Sequence, residues 1–155
     1  MNIREVKLED APRLSEIARI SVEPFKYVDF DKGGWERFFE ATSISSTEDR
    51  IENHSYFCAC GLQRDRIVGF ITIKDFEKID QLFVEPDAQK SGVARELWNY
   101  TKKKCLGSSA KGNIWVRSSS YAIPVYESFG FEKEGLLQKE NGIVYQLMKL
   151  AANES

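Results

Sequence analysis

The sequence is short of the residues on which metal and nucleophile chemistry is usually built. Among 155 residues there is one histidine, His54, and there are three cysteines, Cys58, Cys60 and Cys105, with no CxxC pair. A zinc site needs three or four such ligands at set spacings, so no metal is expected. A histidine-dependent triad would have to use His54, and no GxSxG elbow supplies its nucleophile. His54 reads instead as a strand-edge residue, Cys58 and Cys60 as packing on one face of a strand, and Cys105 as closing a helix. Two phosphate-binding signatures are also missing, GxxxxGK[ST] and a GxGxxG after a strand, which argues against nucleoside triphosphates and dinucleotides. A basic excess is absent too: 22 basic against 24 acidic residues give a formal charge of -2, no field to gather nucleic-acid phosphates. No apolar run is long enough to span a bilayer, and Met-Asn-Ile-Arg-Glu leads directly into charged, patterned sequence without the apolar core of a signal peptide. A cytoplasmic protein with no membrane and no nucleic-acid partner is expected.

What is present is a globular composition, 42% hydrophobic and 30% charged, in a length that suits one core and one domain over 1–155. No internal repeat or low-complexity linker interrupts it. Asn2 to Lys7 alternate as a short strand. Leu8-Glu9-Asp10 then leads into a helix with Ala11, Leu14, Ile17, Ala18 and Val22 on one face, ended by Pro24. From Phe25 to Arg50 the periodicity is poor. Trp35, Phe38 and Phe39 fit a short helix bounded by Gly33-Gly34 and the Ser/Thr-rich stretch from Thr42, and the segment reads as mobile or substrate-facing.

Ser55 to Cys60 and Ile67 to Ile73 predict a hairpin, with a further strand from about Lys78 to Val84. Pro86 stops pairing. Ser91 to Cys105 carries Val93, Ala94, Leu97, Trp98, Thr101 and Cys105 at spacings of three and four, an amphipathic helix whose last turn holds Lys102, Lys103 and Lys104. A strand over Asn113 to Arg117 follows, then a helix capped by Ser119 or Ser120, fixed at its start by Pro124 and stopped by Gly130. Glu132 to Gln138 and Val144 to Leu150 close the chain as a hairpin across Asn141-Gly142. The order describes a mixed α/β sheet, without the strict alternation of a Rossmann domain.

The segment Leu82-Phe83-Val84-Glu85-Pro86-Asp87-Ala88-Gln89-Lys90-Ser91-Gly92-Val93-Ala94 is a strand, a proline-containing turn and a small-residue helix start. Its build suits an anion: Gly92 lets backbone approach a ligand, and the first-turn N–H groups of the helix have no partner within it. About thirty residues on stands Ser119-x-x-Ala122-x-x-x-Tyr126-x-x-x-Gly130-Phe131. Together these resemble the GNAT acetyltransferase family, whose acetyl-CoA site combines [Gln/Arg]-x-x-Gly-x-[Gly/Ala] with Asn-x-x-Ala-x-x-x-Tyr-x-x-x-Gly-Phe. Here Ser119 stands for the asparagine and Ala94 for the more frequent glycine.

The resemblance implies a GNAT-like, mostly antiparallel central sheet of about seven strands flanked by about four helices, with strands near Val84 and Trp115 splayed into a wedge for acetyl-CoA. It implies that amides from Gln89, Lys90, Ser91, Gly92, Val93 and Ala94 hold the CoA pyrophosphate, with Lys90 adding charge at the rim. Leu82, Phe83 and Val84 pair with the pantetheine arm, and Ser119 stands beside the cofactor. Tyr126 assists the leaving thiolate; a phenol with a reference pKa of about 10 is still protonated at neutral pH. Ile114-Trp115-Val116-Arg117 lacks the glutamate that some family members use as base. Asp80, of the same strand parity as Leu82 and Val84, is the candidate, with Glu77 and Glu85 behind it. The acceptor is a small-molecule or peptide amine and the protein a monomer or homodimer. Phe25, Tyr27, Phe30 and Trp35 fall where the family builds its acceptor pocket. A non-catalytic CoA-binding sensor or regulatory module is the alternative.

Overall fold

The β-rich runs pair as their alternation predicts. In the computed structural model, which describes residues 1–108 and 112–151, the sheet has eight strands. These are β1 (Asn2–Glu5), β2 (Tyr56–Gln63), β3 (Arg66–Lys74), β4 (Lys78–Val84), β5 (Trp115–Ser118), β6 (Phe131–Lys133), β7 (Gln138–Glu140) and β8 (Ile143–Leu150). Their spatial order is β1-β2-β3-β4-β5-β8-β6, with β7 pairing the other half of β8. Every pairing is antiparallel except β4 with β5.

Two local departures from the expected strands have backbone causes. Gly135 has φ +71°, a left-handed turn that divides the expected Glu132 to Gln138 strand into β6 and β7. Asn141 and Gly142, at φ +53° and +80°, form the two-residue turn between β7 and β8, in which both central residues need positive φ.

The helices are α1 (Ala11–Val22), α2 (Lys26–Asp29), α3 (Lys32–Ala41), α4 (Ile44–Glu52), α5 (Val93–Leu106) and α6 (Ile123–Ser128). The segment from Phe25 to Arg50, expected to hold one short helix, thus holds three. The Ser/Thr cluster starts a helix: the Ser43 hydroxyl accepts from Ser46 N at 3.0 Å and caps α4. Gly33 and Gly34 lie inside the first turn of α3, which Asp31 caps by accepting from Gly34 N at 2.8 Å.

Helix α1 packs its predicted face, with Leu14, Ile17 and Ala18, against Cys60, Ile67 and Phe70 on one side of the sheet. The other side is buried under Val93, Leu97, Trp98 and Cys105 of α5, against Ala59, Val68, Ile71 and Ile73 among others. Strand β3 is covered on both faces and buried from Ile67 to Ile73. Beyond β4 the sheet changes character. Strands β4 and β5 pair only at Lys78 with Trp115 and Ile79 with Val116, then diverge, so the expected wedge is present.

Candidate active site

Pro86 cannot continue the β ladder, and it opens a 3-10 turn, Pro86–Ala88, at the end of β4. Two contacts pin this turn. Glu85, 6% exposed, is gripped by Arg13 from α1 and by Arg66 from β3, at 2.5 and 2.8 Å. The Gln89 amide reaches back to donate to Val84 O at 2.9 Å. Glu85 is therefore a tie between α1, β3 and the turn. The other reserve carboxylate, Glu77, accepts from Trp115 Nε1 at 3.4 Å, at the paired end of the seam between β4 and β5.

From this anchored base the backbone turns sharply. Lys90 has φ +63° and Gly92 φ +89°, and Gly92 is the N-cap of α5. Glycine is needed there for its conformation, since a Cβ on Gly92 would meet nothing within 4 Å. Among the described residues, the N–H groups of Lys90, Ser91, Gly92, Val93 and Ala94 make no well-formed hydrogen bond to a backbone carbonyl or a side chain. Helix geometry leaves the first-turn donors unpaired and adds the positive end of the helix dipole. Neighbouring amides in this state form an anion cradle.

The cradle stands at one end of a cleft of about 860 Å³ that runs through the wedge. Glu85 N donates to Val68 O, and antiparallel alternation then gives Phe83 the exchange with Phe70, its register partner. The main-chain groups of Phe83 are spent on β3, whereas those of Leu82 and Val84 turn to the cleft. Of these, Val84 O already accepts from Ser21 Oγ and Gln89 Nε2, both at 2.9 Å. Leu82, and the N–H of Val84, form the open edge.

Tyr126 lines the cleft and is 5% exposed. Phe129 and Phe131 hold its ring edge-on, with centroids at 6.1 and 5.6 Å. Burial pushes its phenol well above the ordinary tyrosine range, with nearby Tyr121 adding to the shift. Ser119 precedes the 3-10 turn Ser120–Ala122 and also lines the cleft. Beside it, burial raises Tyr121 to about 12.

Asp80 lines the cleft as well, but on a different face from the one its parity predicts. The register of β4 against β3 shifts, with Thr72 opposite Gln81 and Ile73 opposite Ile79, which leaves Asp80 as the extra residue of a bulge. It therefore points to the α4 side, where its Oδ2 accepts from Arg50 Nε at 3.1 Å. Leu82 packs toward the α5 side.

Three further features lay outside the sequence motifs. Asp29, 1% exposed, accepts from Ser120 N at 2.9 Å and from Ser120 Oγ. Phe25 stacks on Tyr121 with ring centroids 3.9 Å apart. The antiparallel bridge of Phe30 with Ile143 joins α2 to the β7–β8 hairpin. An aromatic followed by an aspartate carries little signal until the fold brings residues 25–31 over the cleft. Phe25 and Phe30 do line it, as their position in the chain suggested, whereas Tyr27 is 89% exposed.

The cysteines do not compete for the chemistry. All three are buried, and burial raises Cys58 to about 12 and Cys60 and Cys105 to about 11, so at neutral pH they are thiols. His54 is exposed, on the turn leading into β2. Among the described residues no cluster of three metal-binding side chains occurs, and no helix is long and apolar enough to cross a membrane.

Comparison with known proteins agrees with this architecture. No curated protein sequence matches the chain. Among solved structures, the GCN5-related N-acetyltransferase of Rhodopseudomonas palustris superposes with a TM-score of 0.82 at 21% identity, covering 97% of this chain and 95% of that one. The PaiA N-acetyltransferase of Thermoplasma acidophilum, solved in complex with coenzyme A, gives 0.80 at 18% identity, with 97% and 98% covered. An aminoglycoside 6'-N-acetyltransferase complexed with coenzyme A gives 0.71 at 16% identity and full coverage of both chains. At these identities the likeness establishes the fold. The family model for the acetyltransferase (GNAT) domain matches residues 24–152, and the chain belongs to the GNAT acetyltransferase family.

Proposed function

We propose that this chain is an N-acetyltransferase that moves the acetyl group of acetyl-CoA to a primary amine by direct attack, acting as one cytoplasmic domain over residues 1–155. The observation that carries the reading is the row of unpaired N–H groups from Lys90 to Ala94 at the mouth of the cleft. A diphosphate supplies the acceptors these donors lack, and Lys90 adds a positive charge beside it. The open edge at Leu82 and Val84 supplies main-chain partners for the amides of a pantetheine arm. Ser119 lines the same cleft as Tyr126 and would stand beside that arm.

In the reaction the amine nitrogen forms a bond to the thioester carbonyl, the carbon–sulfur bond breaks, and CoA leaves as a thiolate. Tyr126 faces that sulfur as a donor. A thiol titrates near 8.5, far below this buried phenol, so Tyr126 stabilises the thiolate by a hydrogen bond and keeps its proton. The proton that ends on sulfur originates on the attacking nitrogen. Asp80 receives it, directly or through water, with Arg50 holding one carboxylate oxygen in place. No covalent enzyme intermediate is required, in keeping with the inert cysteines.

Two measurements test the proposal. Coenzyme A titrated to millimolar concentration should release heat and raise the melting temperature; no heat and no shift would remove the assignment. Tyr126→Phe should bind coenzyme A within about twofold of wild type while thiol release with an amine falls about 100-fold. Binding without turnover in the wild type would point to the sensor module instead.

A further inference from the structure

The chain segment over the acceptor half of the cleft is tied down at both ends. On one side Asp29 accepts from Ser120 and Phe25 stacks on Tyr121, fastening α2 to the loop between β5 and α6. On the other, Asp31 N donates to Gly142 O at 2.9 Å, and Phe30 bridges Ile143. Lys139 reaches Asp31 at 3.3 Å, and Arg37 Nε donates to Asn141 O at 3.3 Å. The two backbones meet without side chains between them: a Cβ on Gly34 would lie 2.1 Å from Gly142 O. Residues 25–31 and the hairpin tip thus form a strap across the cleft, and Phe25, Phe30, Asn141 and Ile143 from both of its sides line the cavity.

The carboxylates under the strap already have partners. Asp80 is paired with Arg50, Glu140 lies 3.5 Å from Arg117, and both oxygens of Asp29 accept from Ser120. Among the described residues, each acidic side chain lining this half is thus engaged before any acceptor arrives. Arg37, exposed at the rim, makes no ion pair among the described residues. Much of the remaining wall is aromatic or aliphatic, with Phe30, Phe38, Phe83 and Ile143 among its residues, and its other polar groups, such as Gln81 and Asn141, are neutral.

We infer that the acceptor is a compact primary monoamine with an apolar or aromatic body, selected by the strap and by walls whose carboxylates are already engaged. The inference rests on the acetyltransferase reading above. A polyamine or aminoglycoside would place a further ammonium against apolar walls and carboxylates that are already engaged, which is unfavourable unless an existing pair is broken. A lysine on a folded protein would have to bring its surrounding surface under the strap.

The test uses the full chain with acetyl-CoA and four acceptors: 2-phenylethylamine, spermidine, kanamycin and lysine-bearing lysozyme. The expected result is a kcat/KM for 2-phenylethylamine at least tenfold above each of the others. A preference for any of the other three, or turnover of none of the four, would overturn the inference. Heat from coenzyme A binding, measured in parallel, tells this failure from failure of the acetyltransferase reading, which predicts the heat whatever the acceptor. Gly34→Ala supplies a second reading: alanine suits α3, but its Cβ forces α3, and residues 25–31 with it, from the hairpin tip and opens the strap. Thermal melting confirms that the variant folds, and its coenzyme A affinity should stay within about twofold of wild type. The kcat/KM ratio of a branched, bulkier amine, 2,2-diphenylethylamine, to 2-phenylethylamine should rise at least fivefold. An unchanged ratio in the folded variant would sink the role of the strap.

Discussion

The two halves of the sheet are built on different terms. From β1 to β4 the strands run up to nine residues, pair through most of their length, and are covered by α1 on one face and α5 on the other. From β5 to β8 three of the four strands have three or four residues, and the six-residue α6 stands beside them. The halves are joined as neighbouring strands by only two residue pairs. Burial on both faces makes the first half the source of stability, and sparse pairing makes the seam a site where a ligand can replace strand partners.

The sharpest way to break the contrast is to hollow the first half. Ile71→Ala, at a position with no exposure, should cost about 2–5 kcal/mol in denaturant unfolding; a loss below 1 kcal/mol would mean that β3 is not the core. Next comes the tie between the halves' functions. Glu85→Gln leaves Arg13 and Arg66 facing a neutral amide and should cost about 1–3 kcal/mol, with coenzyme A affinity falling alongside because the cradle loses its anchor. Gly92→Ala should be smaller in stability, about 1–2 kcal/mol for a Cβ at positive φ, yet it should weaken coenzyme A binding more than it lowers the melting temperature suggests. Equal binding by the variant would separate the cradle from this turn.

The smallest effect is electrostatic and sits on the strap. The N–H of Gly34, and beyond it Lys139, hold the exposed Asp31 carboxyl below the usual carboxylate range. A depressed folded-state value means that the contribution is full above the unfolded value and is lost as pH falls through the folded one. Amide exchange at the tip of the β7–β8 hairpin should therefore quicken on acidification below the ordinary carboxylate value, and should not do so in Asp31→Asn.

Much of this was legible in the sequence because local rules and the fold agree. Asn141-Gly142 specifies a two-residue hairpin in any setting, and the spacing of Val93, Leu97, Trp98 and Cys105 defines the buried face of α5 whatever it packs on. The unpaired amides after Gln89 follow from a helix start. What escaped needed tertiary information. The bulge that turns Asp80 toward Arg50 leaves no mark on alternation, because Asp-Gln-Leu reads equally well in either register. Gly34 looked like a helix boundary; its smallness answers to Gly142, more than a hundred residues away in the chain. Ser43 looked like part of a breaker, although serine is a preferred N-cap. The Asp29 anchor has no local signature, since its partners come from the β5–α6 loop.

The divergence of β4 from β5 has one more consequence. A strand edge with open amides usually invites pairing with another molecule's edge, and proteins cover or charge such edges to stay soluble. Here the bare main chain at Leu82 and Val84 lies within the interior of the protein, between its own strands. A slender chain carrying amides can reach it where the flat edge of another sheet cannot, so the geometry that admits such a guest also keeps this inner edge from pairing with a second molecule's strand.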